Sequence, residues 1–191
     1  NSVTPAPAFK IFATYEFPWW QKLGLMEGRS LTSLPIRQVY YWTNSQGKPV
    51  DPSQKAMLMS SYDDGTNSDY WGGFRDITGA RWRSQGLVPL PAESLKAGAW
   101  SDTPPKWEDY AASPSLVAVM TTQLAILHQL KSEIQPLSVS QIDWADDPYG
   151  GGWNLWNVGE SSPEMMQKIV QPDPQLPLYI CGEAYSNWQG W

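Results

Sequence analysis

The chain has 191 residues, a formal net charge of −6 from 13 basic and 19 acidic side chains, and 41% hydrophobic content. No uninterrupted apolar run reaches the roughly 18 residues of a membrane span, and no Lys/Arg cluster supplies the basic footprint that a nucleic acid demands, so neither partner is expected. One cysteine, Cys181, and one histidine, His128, exclude an internal disulfide and a Cys/His zinc centre, and leave a secreted or periplasmic location and a cytoplasmic one equally open.

The opening residues, NSVTPAPAF, lack a charged n-region and an apolar h-region and read as a loop rather than a signal peptide. Residues 9–14 (FKIFAT) alternate, with Phe9, Ile11 and Ala13 on one face and Lys10, Phe12 and Thr14 on the other, which predicts a strand. Pro18, Gly24 and Gly28 mark an irregular aromatic loop, and 36–42 (IRQVYYW) predicts a second strand. A turn over 43–54, carrying Gly47, Pro49 and Pro52, leads into a third at 56–62 (AMLMSSY), antiparallel to the second. Residues 63–114 are loop-like and long for a compact domain. Ser113 and Pro114 start a helix placed over 114–132, with Val117, Met120, Leu124, Leu127 and Leu130 as its apolar face. A strand follows at 137–144, then the turn-prone DDPYGGG, a shorter helix opened by Ser162 and Pro163, and a short buried strand at 176–181 running into Gly182 and Glu183.

Chemistry is sparse along this path. A Ser/His/Asp hydrolase would have to use His128, which falls on the helix between Leu127 and Leu130 and reads as a helix-surface or half-buried histidine. The acid pairs Asp63/Asp64 and Asp146/Asp147 sit in turn-prone surroundings, so a glycosidase pair has weak support. Neither GxGxxG nor a P-loop occurs, and Gly150, Gly151 and Gly152 lack the spacing and preceding strand for pyrophosphate binding. The 12 tryptophans instead imply large apolar walls with polar edges, as in a ligand cavity, a glycan platform or an interface. Gly182 and Glu183 add a glycine that lets backbone approach a ligand and an acid placed to accept hydroxyl hydrogen bonds.

The run GEAYSNWQGW at 182–191 resembles the last flavin-binding segment of the flavin-containing amine oxidases, most closely that of the L-amino-acid oxidases. Upstream matches keep the family's order: Lys10 in FKIFATYEFPWW, then GRSLTSLPIRQVYYW at 28–42, AMLMSSYDDG at 56–65 and DWADDPYGGGWNLW at 143–156. The resemblance implies an α+β fold: a mixed-sheet substrate-binding domain portion over 1–170, and over 171–191 the last strand of an incomplete, two-dinucleotide-binding-type FAD domain. It implies that Lys10 positions a water beside the flavin and that Tyr62 donates its hydroxyl to the substrate carboxylate. Trp153 and, less directly, Tyr40 would line the substrate, with Trp144 close to the cofactor. Gly182 and Glu183 would bind FAD, and Gly190 and Trp191 would serve both cofactor and substrate.

The implied reaction is oxidative deamination of an L-amino acid by oxygen to a 2-oxo acid, ammonia and hydrogen peroxide. The family's dinucleotide fingerprint and its carboxylate-binding arginine have no counterpart in the sequence, which implies a companion chain, from the same precursor, carrying the N-terminal FAD-binding region; a homo-oligomer is expected. Two other readings stay open: a monoamine or polyamine oxidase of the same fold, and a tryptophan-rich glycan-binding module. Apart from the resemblance, Lys10 is a solvent-facing strand lysine, and Tyr62 and the tryptophans are core residues.

Overall fold

The computed structural model describes residues 2–74, 110–144, 151–186 and 189. Seven strands are present in it: β1 (Val3–Ala6), β2 (Ala8–Tyr15), β3 (Gly28–Leu31), β4 (Gln38–Tyr41), β5 (Ala56–Asp64), β6 (Ser138–Asp143) and β7 (Trp153–Trp156). Five form a sheet in the order β3-β4-β5-β2-β6, and β1 and β7 pair as a separate ribbon. The helices are α1 (Asp69–Gly72), α2 (Pro114–Leu127) and α3 (Ser162–Val170). The fold class is α+β, as the sequence implied. Every ladder is antiparallel, and the parallel pairing among the described residues is the isolated bridge of Arg37 with Tyr62.

Strict alternation along β2 gives the sheet two unlike faces. Phe9, Ile11, Ala13 and Tyr15 are buried, joined by Val39 and Tyr41 of β4 and Leu58 of β5. This face packs against Leu116, Met120 and Leu124 of α2 and against Trp19, Trp20 and Trp71, with Phe9 and Trp71 stacked at 6.1 Å. The opposite face carries Lys10 and Phe12, half-buried and flanked by other aromatic side chains.

Alternation in β5 breaks once. Ile11 faces Ser61 while Phe12 faces Met59, so a bulge absorbs one residue, and Ser60 and Ser61 are both fully buried. Beyond it Tyr62 lies opposite Lys10, on the face away from the core.

Helix α2 starts where the sequence placed it: Ser113 accepts a hydrogen bond from the Leu116 amide at 3.2 Å, and Pro114 holds the first turn. It ends at Leu127 instead of continuing to 132. Gln129 takes a left-handed φ of 52° and the Leu130 amide bonds back to Ala125 O at 2.9 Å, a closure normally signalled by Gly or Asn. Leu116 replaces Val117 as the first buried contact of its face.

Three further expectations are corrected. The opening residues form β1 because β7 supplies a ladder from Val3–Trp156 to Ala6–Trp153, and 28–31 is a strand rather than loop because it pairs with β4. The expected strand at 176–181 has no ladder among the described residues: Pro177 lacks an amide hydrogen, Leu176 closes a turn onto Asp173, and Leu176, Leu178, Tyr179 and Ile180 are exposed. No helix of the described residues is long and apolar enough to cross a membrane. Most of the expected 63–114 loop, together with Asp146, Asp147, Gly150, Gly190 and Trp191, lies outside the described residues.

Candidate functional site

The sheet's non-core face becomes a site because of register. Lys10 pairs with Tyr62 across β2 and β5, and Tyr62 pairs with Gln38 of β4, so three polar side chains from separate segments line up across adjacent strands. Trp144 follows β6 beside this row, and Trp153 opens β7. Lys10, Tyr62, Trp144 and Trp153, together with Ala8, Gly152 and Glu183, line a cavity of about 260 Å³. A neighbouring cavity of about 470 Å³ shares Lys10, Tyr62 and Trp153 and continues to Tyr40, Trp42, Met59 and Arg29. Its volume is in the range of small-molecule sites.

Lys10 Nζ stands 5.3 Å from the Tyr62 ring centroid and 5.7 Å from that of Trp144, a cation held between two π faces. Burial lowers its pKa by penalising the charged form. Burial raises the Tyr62 pKa, and Asp64, Tyr40 and Glu183 add to the effect, so its hydroxyl stays a protonated donor at neutral pH. Tyr40 meets Tyr62 edge-on at 6.3 Å, which fixes both rings.

Two of the indoles that line this space keep their N–H groups out of its reach. The indole Nε1 atoms of Trp144 and Trp153 are buried and have no hydrogen-bond partner among the described residues. The core indoles of Trp19, Trp20 and Trp71 share this state, and each such N–H costs about 1–3 kcal/mol.

Glu183 is held by β7: Asn154 Nδ2 donates to it at 2.9 Å. The segment behind it is tied to the same strand, with the Trp156 amide donating to Gln189 Oε1 at 3.0 Å and the Trp156 indole to Ser186 O at 3.2 Å. Gly182 has φ 154° and open space where a side chain would be, so its backbone is free to approach a ligand, although it lines neither cavity.

Of the residues singled out in the sequence, Lys10, Tyr62, Trp144, Trp153 and Glu183 converge on one cavity and Tyr40 on its continuation. Gly190 and Trp191 lie outside the described residues. Sequence reasoning missed Arg29, Gln38, Met59, Asp64 and Gln189. Gln38 was legible in principle, since it lies two residues before Tyr40 on the same strand face. Arg29 was not, because 28–31 carried no strand signal.

His128 belongs to the core side. Its Nδ1–H donates to Leu124 O at 2.8 Å, which leaves Nε2 to accept from the Tyr41 hydroxyl at 2.5 Å, and Trp19 packs on it edge-on. It is a half-buried structural histidine, and burial lowers its pKa.

No family model matches the chain. It is similar to Aplysianin-A of Aplysia kurodai, 25% identical over 182 residues, a stretch that covers 94% of this chain and 28% of that protein. The two are distant homologues, both cavities fall within a chain matched over nearly its full length, and the chain spans less than a third of its relative.

Proposed function

We propose that this chain forms the substrate-facing wall of an FAD-dependent L-amino-acid oxidase, completed by other parts of a longer protein or by a companion chain. The carrying observation is convergence: Lys10, Tyr62, Trp144, Trp153 and Glu183, from five separated segments, meet at one cavity. The family resemblance selects those same residues. Similarity to Aplysianin-A over 94% of the chain is compatible with this reading and does not itself name a reaction.

The lining suits the ring end of a flavin, for which Trp144 and Trp153 would serve as aromatic walls, with Lys10 holding a water at its edge and Glu183 and Gly182 towards its side chain. Gly190 and Trp191 complete the proposed contacts. The pyrophosphate has no glycine-rich fingerprint anywhere in the 191 residues, so its binding is assigned to residues outside this chain. FAD, when bound, supplies the hydride acceptor, and its reoxidation by oxygen gives hydrogen peroxide.

The chain's own residues do the orienting. Tyr62, kept protonated, donates its hydroxyl to the substrate carboxylate, and Tyr40 braces that ring. Trp153 bounds the side chain and Trp144 excludes water from the reacting carbon, which prolongs the life of the imine before it hydrolyses to the 2-oxo acid and ammonia.

The full-length protein is purified, its visible spectrum recorded, and peroxide release followed with L-amino acids and with primary amines and polyamines. Flavin bands with peroxide from L-amino acids are expected. A colourless protein, or one that oxidises only amines, overturns the reading.

A further inference from the structure

The larger cavity ends in a polar cluster whose hydrogen bonds are already interlocked. Register sets Arg29 of β3 opposite Tyr40 of β4, and Gln38 is two residues away on the same face. Arg29 Nη1 donates to Gln38 Oε1 and to the Tyr40 hydroxyl, both at 3.2 Å, and that hydroxyl donates to Gln38 Oε1 at 2.8 Å.

Donor counting gives the cluster its meaning. The Gln38 carbonyl oxygen receives two hydrogen bonds, and both Nη1 hydrogens of Arg29 are spent on this internal triangle. What remains to face a ligand is Arg29 Nη2 and Nε and the Gln38 amide nitrogen, all donors. Among the described residues no carboxylate forms an ion pair with Arg29. Asp64, the acid in the same cavity, belongs to the other side, where it is close enough to Tyr62 to raise its pKa.

We propose that Arg29 and Gln38 form a side-chain carboxylate pocket, so that the substrate class is L-amino acids with an acidic side chain of glutamate length. This rests on the oxidase reading above, in which Tyr62 takes the α-carboxylate. Tyr62 and Arg29 are two strands apart and two residues out of register, since Tyr62 pairs with Gln38 and Arg29 with Tyr40, about 12 Å between backbones at the usual strand spacing and rise. An extended glutamate spans about 5 Å between its carboxyl carbons, and a hydrogen bond of about 2.9 Å at each end brings it to that scale. The α-ammonium then lies on the Asp64 side of the cavity. A planar guanidinium with a free edge matches a carboxylate better than an amide or an apolar terminus, while a lysine-like side chain would meet like charge.

In the full-length flavoprotein, kcat/KM is compared for L-glutamate, L-glutamine, L-leucine and L-lysine in the wild type, Arg29→Gln and Arg29→Lys. Glutamate should lead glutamine by about tenfold or more, and Arg29→Gln should lower the glutamate-to-leucine ratio about tenfold or more, through KM rather than kcat, with partial recovery in Arg29→Lys. A wild-type preference for leucine or lysine, or a ratio that Arg29→Gln does not move, overturns the assignment and leaves the oxidase reading standing. If no amino acid is oxidised, that reading falls instead. Glutarate titration followed by tryptophan fluorescence then judges the pocket alone: weaker binding in Arg29→Gln supports it, and equal binding overturns it.

Discussion

In the proposed oxidase, Tyr62 is the residue on which binding and chemistry separate most cleanly. Its hydroxyl is a protonated donor at neutral pH, and burial with its charged neighbours moves ionisation further off, while Tyr40 and Lys10 hold its ring from two sides. Tyr62→Phe keeps that packing and removes only the donor. In a peroxide-release assay of the full-length protein, KM for the preferred amino acid should rise roughly tenfold while kcat falls less, as expected for one lost hydrogen bond to a charged group. An unchanged KM would remove Tyr62 from the carboxylate site. Its neighbour Asp63 faces the core, 2% exposed, and accepts from the Asp64 amide at 3.0 Å. Burial pushes its carboxyl up to about 6, and the Asp64 amide and the positive charge of Arg37 offset only part of that. The folded state therefore holds a proton that the unfolded chain releases near pH 4. Stability from this group is complete below pH 4 and is lost as the pH rises through about 6. Thermal melts should show Asp63→Asn gaining Tm relative to wild type between pH 4 and pH 7, and a difference flat across that range would contradict the shift.

Among the elements, strands were easier to read than their surroundings. The alternation of FKIFAT places Lys10 and Phe12 opposite the core from sequence alone, and β2, β4, β5 and β6 all form within a few residues of expectation. Strands β1 and β3 were hidden because their stability comes from partners rather than pattern: PAPA-type sequence and GRSL carry no period-2 signal, and only β7 and β4 give them ladders. The end of α2 was hidden for a related reason, since Gln129 adopts a conformation that its residue type does not advertise. The β1–β7 ribbon in turn depends on Gly151 and Gly152, where a Cβ would meet Pro5 of β1 and the Ala6–Ala8 backbone respectively. Gly152 has φ +87°, and a Cβ there would fall on Ala6 O and lie 2.7 Å from Ala8 N. Gly152→Ala should cost about 1–3 kcal/mol from overpacking and left-handed strain, read as a lower denaturation midpoint. It should also widen the approach of Trp153 to the Lys10 cavity. A midpoint unchanged from wild type would mean the junction relaxes freely.

At the scale of the whole molecule, self-sufficiency is uneven. The five-stranded sheet, α2 and the buried tryptophans make one continuous core. Among the described residues the stretch 171–186 instead is held through contacts to β7 and α3 and a backbone bond from Ile180 to Val170, and exposes Leu178, Tyr179 and Ile180. Hydrogen exchange should therefore run markedly faster in 176–181 than in β2 and β5, where ladders lie on both sides of each strand. Slow exchange there would mean that a partner covers it. This also explains why the candidate site was more legible than its frame. The side chains that converge on the cavity came from motif resemblance in sequence order, whereas Arg29 joins them only through cross-strand register, which no local pattern encodes.

The bulge in β5 has a counting consequence. Read with an unbroken period of two, Tyr62 shares parity with Ala56, Leu58 and Ser60 and belongs in the core; the extra residue reverses its parity and turns it towards Lys10. Both flanking strands skip at the same place, since Tyr40 faces Met59 and Gln38 faces Tyr62 with a single residue, Val39, between them. The strand is one residue too long for each of its neighbours. Removing Ser60 should therefore regularise both ladders and leave Tyr62 where it is, so a one-residue deletion inside the central strand is expected to fold. If that deletion turned Tyr62 inward, its fluorescence would lose sensitivity to solvent quenchers, and the odd residue would prove to be a steering device rather than a surplus one.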